Sequence, residues 1–325
     1  MLPQSYSFDQ SQNAVSSALK ELQISKLLYQ ANIRKGFGIP VFEVFQRLVM
    51  LVFYGKSLFR TLESKHNDHS ISKNTFYRFL GNPSFNWKRF LLLLAVRVTT
   101  ALRKLTCRSR VTVLVLDDSV LRRNRSKAVE LLARVYDHVF HEFVRGFNLL
   151  ALGWSDGFSF IPVAFTLLSS AKAGNRYQEA SDEIDRRTNG WKARMDSMLH
   201  KPEAALRMIR SALDAGVMAD YILMDSWFTT EPFVQSLSLL GLPVIGMVKD
   251  LKQRYDYHGR FYTLPQLAQI ALDKDACHLY RSLVVKTRKH SIPFRIVFVR
   301  NRNKRSELLY LLTTDTSVSD DEVNR

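Results

Sequence analysis

The 325 residues include 47 lysines and arginines against 30 aspartates and glutamates, a formal net charge of +17, and 46% are apolar. That apolar content excludes a disordered chain, and the length allows a central domain with one or two smaller attachments. The positive excess draws polyanions to the surface, so nucleic acid is the expected partner and an anionic membrane surface the weaker alternative.

Met1 to Lys20 has no basic start followed by an apolar core, so no signal peptide is expected. No membrane span is expected either. Phe90–Val98 is brief, and Arg47 interrupts Val44–Phe53. Residues 1–105 carry helical signals and form an expected N-terminal DNA-binding region. After Pro40, the residues Phe42, Phe45, Val49, Val52 and Phe53 recur at helical steps. A second helix is expected within Ser70–Leu80, capped by Ser72, closed by Gly81, with Phe76, Phe79 and Leu80 as its apolar face. Lys73, Asn74, Tyr77 and Arg78 then face outward, and Lys73, Asn74 and Arg78 are candidates for DNA contact. Cys107 and Cys277 are far apart without metal-ligand spacing, which excludes a disulfide framework or structural zinc and suits a reducing cytoplasm.

The pattern changes at Val111–Leu116, a branched apolar run suited to a buried strand that ends in Asp117, Asp118 and Ser119. A charged loop with Arg122, Arg123, Arg125 and Lys127 is expected next. Phe147–Trp154 and Phe158–Phe165 flank Ser155–Gly157 as a strand–turn–strand hairpin. His138 and His141, with Glu142, lack the order and spacing of a zinc helix, and the two read as surface or hydrogen-bonding histidines. Pro202 and Gly216 bracket a helix over Glu203–Ala215. Tyr221–Met224 is a short strand ending in Asp225, Pro232–Leu240 a helix and Pro243–Val248 a fifth strand.

Strand, hairpin, helix, strand, helix, strand is the order of an α/β, RNase H-like mixed sheet over residues 106–248. A doubly wound sheet would not place an antiparallel hairpin directly after its first strand. Residues 249–314 read as a strand-rich basic insertion, with strands at Arg281–Thr287, Phe294–Val299 and Leu308–Thr313. Its cations Arg295, Arg300, Arg302, Lys304 and Arg305 are candidates for DNA phosphates.

Aspartates at the ends of neighbouring strands suggest phosphodiester chemistry with two Mg²⁺ ions, since magnesium takes a few carboxylate oxygens beside water and phosphate. Aspartate also ends strands for purely structural reasons, so the pair carries more weight than either residue alone. The first ligand is Asp117 or Asp118, with Asp117 favoured because the apolar run stops on it; the second is Asp225. Ser119 and Ser226 lack an adjacent base. Trp154, Trp191 and Trp227 read as core, Trp227 lying close to the proposed site.

Val115–Ser119, Gly146–Phe147, Gly153–Gly157, Phe160–Pro162 and Met224–Thr229 resemble the bacterial DDE transposases of the insertion-sequence four type. Gly55–Arg60 and Ser72–Phe79 resemble that family's N-terminal region. The resemblance implies a Mg²⁺- or Mn²⁺-dependent enzyme of the cytoplasm, associated with the nucleoid. It would cut and join the terminal inverted repeats of its own element, as a homodimer on double-stranded DNA. By motif position Asp117 and Asp225 match the family's two aspartates. The family's glutamate, on a helix after the insertion in a tyrosine–arginine–glutamate–lysine signature, has no match. Ser319–Glu322 has capping-box spacing, so residues 315–325 are expected to begin a truncated catalytic helix and activity is expected to be impaired. The alternatives are a DNA-binding remnant that inhibits full-length partners, or a nuclease completed by Glu307 or Glu322.

Overall fold

The computed structural model describes residues 8–64, 71–105, 110–251, 253–272, 279–288, 291–301, 303–304 and 306–324. The expectations for Cys107, Cys277, Arg302 and Arg305 lie outside the described residues. The chain divides into two compact units.

The first unit comprises Met1–Leu105, Arg122–Phe147 and Ser169–Met198. Its helices are α1 (Phe8–Glu21), α2 (Ile24–Gln30), α3 (Val41–Phe53), α4 (Leu58–Leu62), α5 (Lys73–Leu80), α6 (Trp87–Leu105) and α7 (Asn189–Asp196). Leu27, Leu28, Val44, Phe76, Phe79 and Phe90 bury a common core. Trp87 packs edge-on against Phe79 and Phe90, geometry that aromatic quadrupoles favour. On α5 the Ser72 hydroxyl accepts from the Thr75 N–H, as the cap requires, and Phe76 and Phe79 are buried. Leu80, expected on that apolar face, is exposed, as are Val52 and Phe53 on the last turn of α3. The apolar stripe is narrower than the sequence period suggests, because only positions meeting the core cluster are covered. Gly190 donates its N–H to the Pro83 carbonyl, and a Cβ there would sit 2.9 Å from the Pro83 side chain.

The second unit comprises Thr106–Leu121, Asn148–Leu168 and Leu199–Arg325. It is built on a sheet whose strands are β1 (Val113–Arg122), the second half of β3 (Glu142–Ser155), β4 (Phe160–Leu168), β5 (Tyr221–Met224) and β6 (Val244–Val248), continued by β7 (Tyr255–Tyr257), β8 (Arg260–Tyr262), β9 (Leu279–Thr287), β10 (Pro293–Arg300) and β11 (Leu308–Thr313). An additional strand, β2 (Ala133–Asp137), pairs with the first half of β3 in the other unit. The core order β4-β3-β1-β5-β6 has antiparallel β3 and β4 on one side and parallel β1, β5 and β6 on the other. This is the RNase H-like mixed sheet expected from the element order. Helices α8 (Lys201–Asp214) and α9 (Glu231–Ser238) lead into β5 and β6, as parallel crossovers require.

The β3–β4 hairpin turns at Gly157, whose φ of 85° is favourable only for glycine. Gly153 lies under the Phe160 ring, where a Cβ would approach to 2.2 Å. Beyond β6 the sheet runs on antiparallel through β11, β10 and β9 to the β7–β8 hairpin. Helix α10 (Leu264–Ile270) buries Leu264 and Leu267. Helix α11 (Asp320–Asn324) starts where the Glu322 N–H meets the Ser319 hydroxyl, the amide half of the expected capping box. Val318 and Val323 pack on Val297 and Val299, which stabilises a helix too short to persist alone.

Two local expectations are corrected. β1 does not stop at the aspartates but runs on to Arg122. Arg123, Arg125 and Lys127 lie in the expected loop, but Arg122 still belongs to β1, an unexpected strand β2 follows, and β3 begins at Glu142 rather than Phe147. Pairing overrides composition here: charged residues are tolerated on the solvent face of a ribbon whose other face buries Ala133, Val135, Val144 and Gly146.

Candidate active site

β1 and β5 pair in parallel from Val113↔Tyr221 to Leu116↔Met224. Leu116 and Met224 are partners and both are buried. The next residue on each chain is an aspartate, Asp117 on β1 and Asp225 just past β5. Partners in a parallel pair project to the same face, and adjacent strands lie about 4.8 Å apart. The paired register ends at Leu116↔Met224, so Asp117, on the face of Val115, and Asp225, in the turn after β5, each follow the last paired residue of neighbouring strands. Asp118 belongs to the opposite face, that of Leu114 and Leu116.

Their environments differ accordingly. Asp117 is exposed and has no hydrogen bond or ion pair among the described residues. Asp225 is also exposed, and its Oδ1 accepts from the N–H of Trp227 at 3.0 Å and of Phe228 at 3.4 Å. That turn orients the carboxylate and leaves Oδ2 without a hydrogen bond among the described residues. Thr229 closes the turn by donating its hydroxyl to the Asp225 carbonyl at 2.9 Å. The turn fits because residue 246 of β6 is glycine: a Cβ there would meet Thr229 Oγ1 at 2.7 Å.

Asp118 is held by Lys201, the first residue of α8, with Nζ 2.7 Å from Oδ2 and both side chains largely buried. The same ammonium lies 4.2 Å from the centre of the Trp227 ring. Trp227, expected in the core, is 38% exposed, whereas Trp154 is fully buried and donates its indole N–H to the Met218 carbonyl. Lys201 and Gly246 were not legible as site residues. Lysine at a helix start carries no signal of a partner 83 positions earlier, and a glycine in a strand has several uses.

Two exposed carboxylates that follow paired neighbouring strands, with no cation paired to either among the described residues, are hard donors suited to Mg²⁺ or Mn²⁺. Among the described residues no group of three acidic, histidine or cysteine side chains forms a fuller cage. His138 and His141 are exposed.

The cationic candidates fall into different settings. Asn74 and Arg78 are exposed on α5. Lys73, beside them, pairs with Glu63 at 3.0 Å. Arg295 is engaged inside the protein, donating to Asp320, Ser282 and the Thr316 carbonyl and so tying β10 to α11. Lys304 pairs with Glu307 at the surface, and Arg300 is half-buried at the end of β10. Among the described residues no helix is long and apolar enough to cross a membrane.

No curated protein matches the sequence. Among solved structures the chain is similar to the "Drosophila P element transposase strand transfer complex", at 9% identity and a TM-score of 0.27. That match covers 80% of this chain and 56% of the other, so the chain spans little more than half the length of that relative. The family model described as "DDE superfamily endonuclease" matches residues 47–259, which include Asp117, Asp118 and Asp225. Covering most of the sequence and both parallel strands of the site, that match establishes that the chain belongs to the DDE superfamily endonucleases.

Proposed function

We propose that the protein is a DNA transposase of the insertion-sequence four type, in which Asp117 and Asp225 hold catalytic Mg²⁺ or Mn²⁺. The observation that supports this reading is the parallel β1–β5 pairing, which ends at Leu116↔Met224 and is followed on both strands by an exposed aspartate. Bound there, the metal would supply Lewis-acid stabilisation and an activated nucleophile for phosphodiester cleavage. The protein's own part is positioning. β1 holds Asp117 in extended backbone, and the Trp227 and Phe228 amides aim Asp225. Lys201 neutralises Asp118 on the opposite face and so leaves the metal-binding role to Asp117. The exposed face of α5, with Lys73, Asn74 and Arg78, would contact DNA at the element's terminal inverted repeats, with a dimer of the chain on paired ends in the bacterial nucleoid. Arg300 and Lys304 would add phosphate contacts.

Nicking of DNA bearing the element's terminal repeats tests this reading, with Mg²⁺ or Mn²⁺ supplied. Asp117→Asn and Asp225→Asn should each reduce nicking about a hundredfold or more and abolish the Mn²⁺-dependent rise in Tm. Asp118→Asn should keep that metal-dependent rise while lowering stability. A metal response that survives both Asp117→Asn and Asp225→Asn would refute the assignment.

A further inference from the structure

The ribbon formed by β2 and the first half of β3 presents an unusual outer face. Its register places Arg134 directly opposite Arg145 and Tyr136 opposite Phe143. Like charges facing each other across a strand pair are destabilising. Nearby carboxylates do not relieve them. Asp137 and Glu142 both bond Arg122, and Glu179 bonds Arg176. Arg134 and Arg145, both exposed, have no ion pair among the described residues and rest on aromatic rings instead. The Arg134 guanidinium carbon is 4.0 Å from the centre of the Phe143 ring, and that of Arg145 is 4.5 Å from the centre of the Tyr177 ring. Phe143 is 58% and Tyr177 45% exposed. With Asn124, Val144 and Glu142, whose carboxylate is paired with Arg122, these residues line an open cleft of about 340 Å³ within the first unit. The Asn124 side chain accepts the Arg145 N–H at 3.0 Å, fixing the loop that carries exposed Arg123, Arg125 and Lys127.

We infer that this cleft is a second DNA site, one that binds a single strand: Arg134 and Arg145 take consecutive phosphates, and an unpaired base stacks at Phe143 and Tyr177. An anionic strand offsets the cross-strand repulsion that the fold otherwise tolerates without compensation. Ring and guanidinium surfaces together form the platform that exposed bases use, whereas a duplex keeps its bases stacked inside. The inference rests on the proposed action on DNA, because strand cleavage and joining is what exposes unpaired ends. Asp117 and Asp225 belong to the other unit.

Fluorescence anisotropy with a labelled 20-nucleotide single strand and with the matching duplex tests it. Arg134→Gln with Arg145→Gln should weaken single-strand binding about tenfold or more and lower the log–log salt slope by about 1.4, the value for two phosphates of a single strand. Phe143→Ala and Tyr177→Ala should each weaken single-strand binding by about fivefold or more with the slope unchanged, and duplex binding by less. Far-UV circular dichroism and Tm identify any variant that has lost its fold. Arg134→Lys with Arg145→Lys, which keeps charge but loses the planar fork, provides a second test and should restore the slope but not the full affinity. Folded glutamine variants that match the unmodified protein in affinity and slope would overturn the inference. If Asp117-dependent nicking persists in that case, only this site fails. Absence of both nicking and DNA binding in the unmodified protein would remove the functional reading itself.

Discussion

Lys201 and Asp118 show how one residue's partner sets another's role. Two adjacent aspartates face opposite sides of β1, and the one on the buried side needs a counter-charge. Lys201→Met should cost about 3 kcal/mol in urea unfolding, because it strands the Asp118 carboxylate in a largely buried setting. Adding Asp118→Leu should recover much of that loss. Gly246 is the complementary case, where space rather than charge decides. Gly246→Ala should destabilise by about 1–3 kcal/mol and disturb the Asp225 turn, since its methyl group meets Thr229 Oγ1. Thr229→Ala removes the opposing oxygen, so a double-mutant cycle should show positive coupling between the two positions.

At the scale of elements, the β3–β4 turn is held by a single buried carboxylate. Asp156 accepts from the N–H of Ser159 at 2.7 Å and of Phe158 at 3.1 Å, and pairs with Arg110 at 3.2 Å. Chiefly the Ser159 amide, then Phe158 and Arg110, hold its carboxyl below the ordinary aspartate value against the opposing effect of burial. A depressed folded value means that the stabilisation is complete above the unfolded value of about 3.9 and is lost as pH falls through the folded one. Thermal unfolding followed from pH 7 to pH 2 should show that loss, and Asp156→Asn should make the acid limb shallower. This hairpin was legible because Ser155–Gly157 separates two apolar runs. The length of β1 was not, because aspartates normally end strands, and only the neighbouring strands show that pairing continues past them. The role of Arg295 was equally hidden. In a basic stretch it reads as a phosphate ligand, yet Asp320 and the Thr316 carbonyl, far along the chain, claim its guanidinium.

At the scale of the whole molecule, the net charge of +17 makes the DNA affinity implied by the proposed function strongly dependent on salt. With six to ten phosphate contacts, affinity should fall by about a thousandfold or more between 50 and 200 mM salt. A nearly flat titration would show that the cationic surface contributes little to binding. The sequence by itself determined the charge and the order of the core strands and helices from β1 to β6 apart from β2, because these depend on composition, on periods of 2 and 3.6 residues, and on local turn chemistry. Tertiary structure alone decided that Lys201 neutralises Asp118 and that Arg134 confronts Arg145. Each of these is a matter of register or long-range proximity, and a linear sequence does not record which residues a fold brings together.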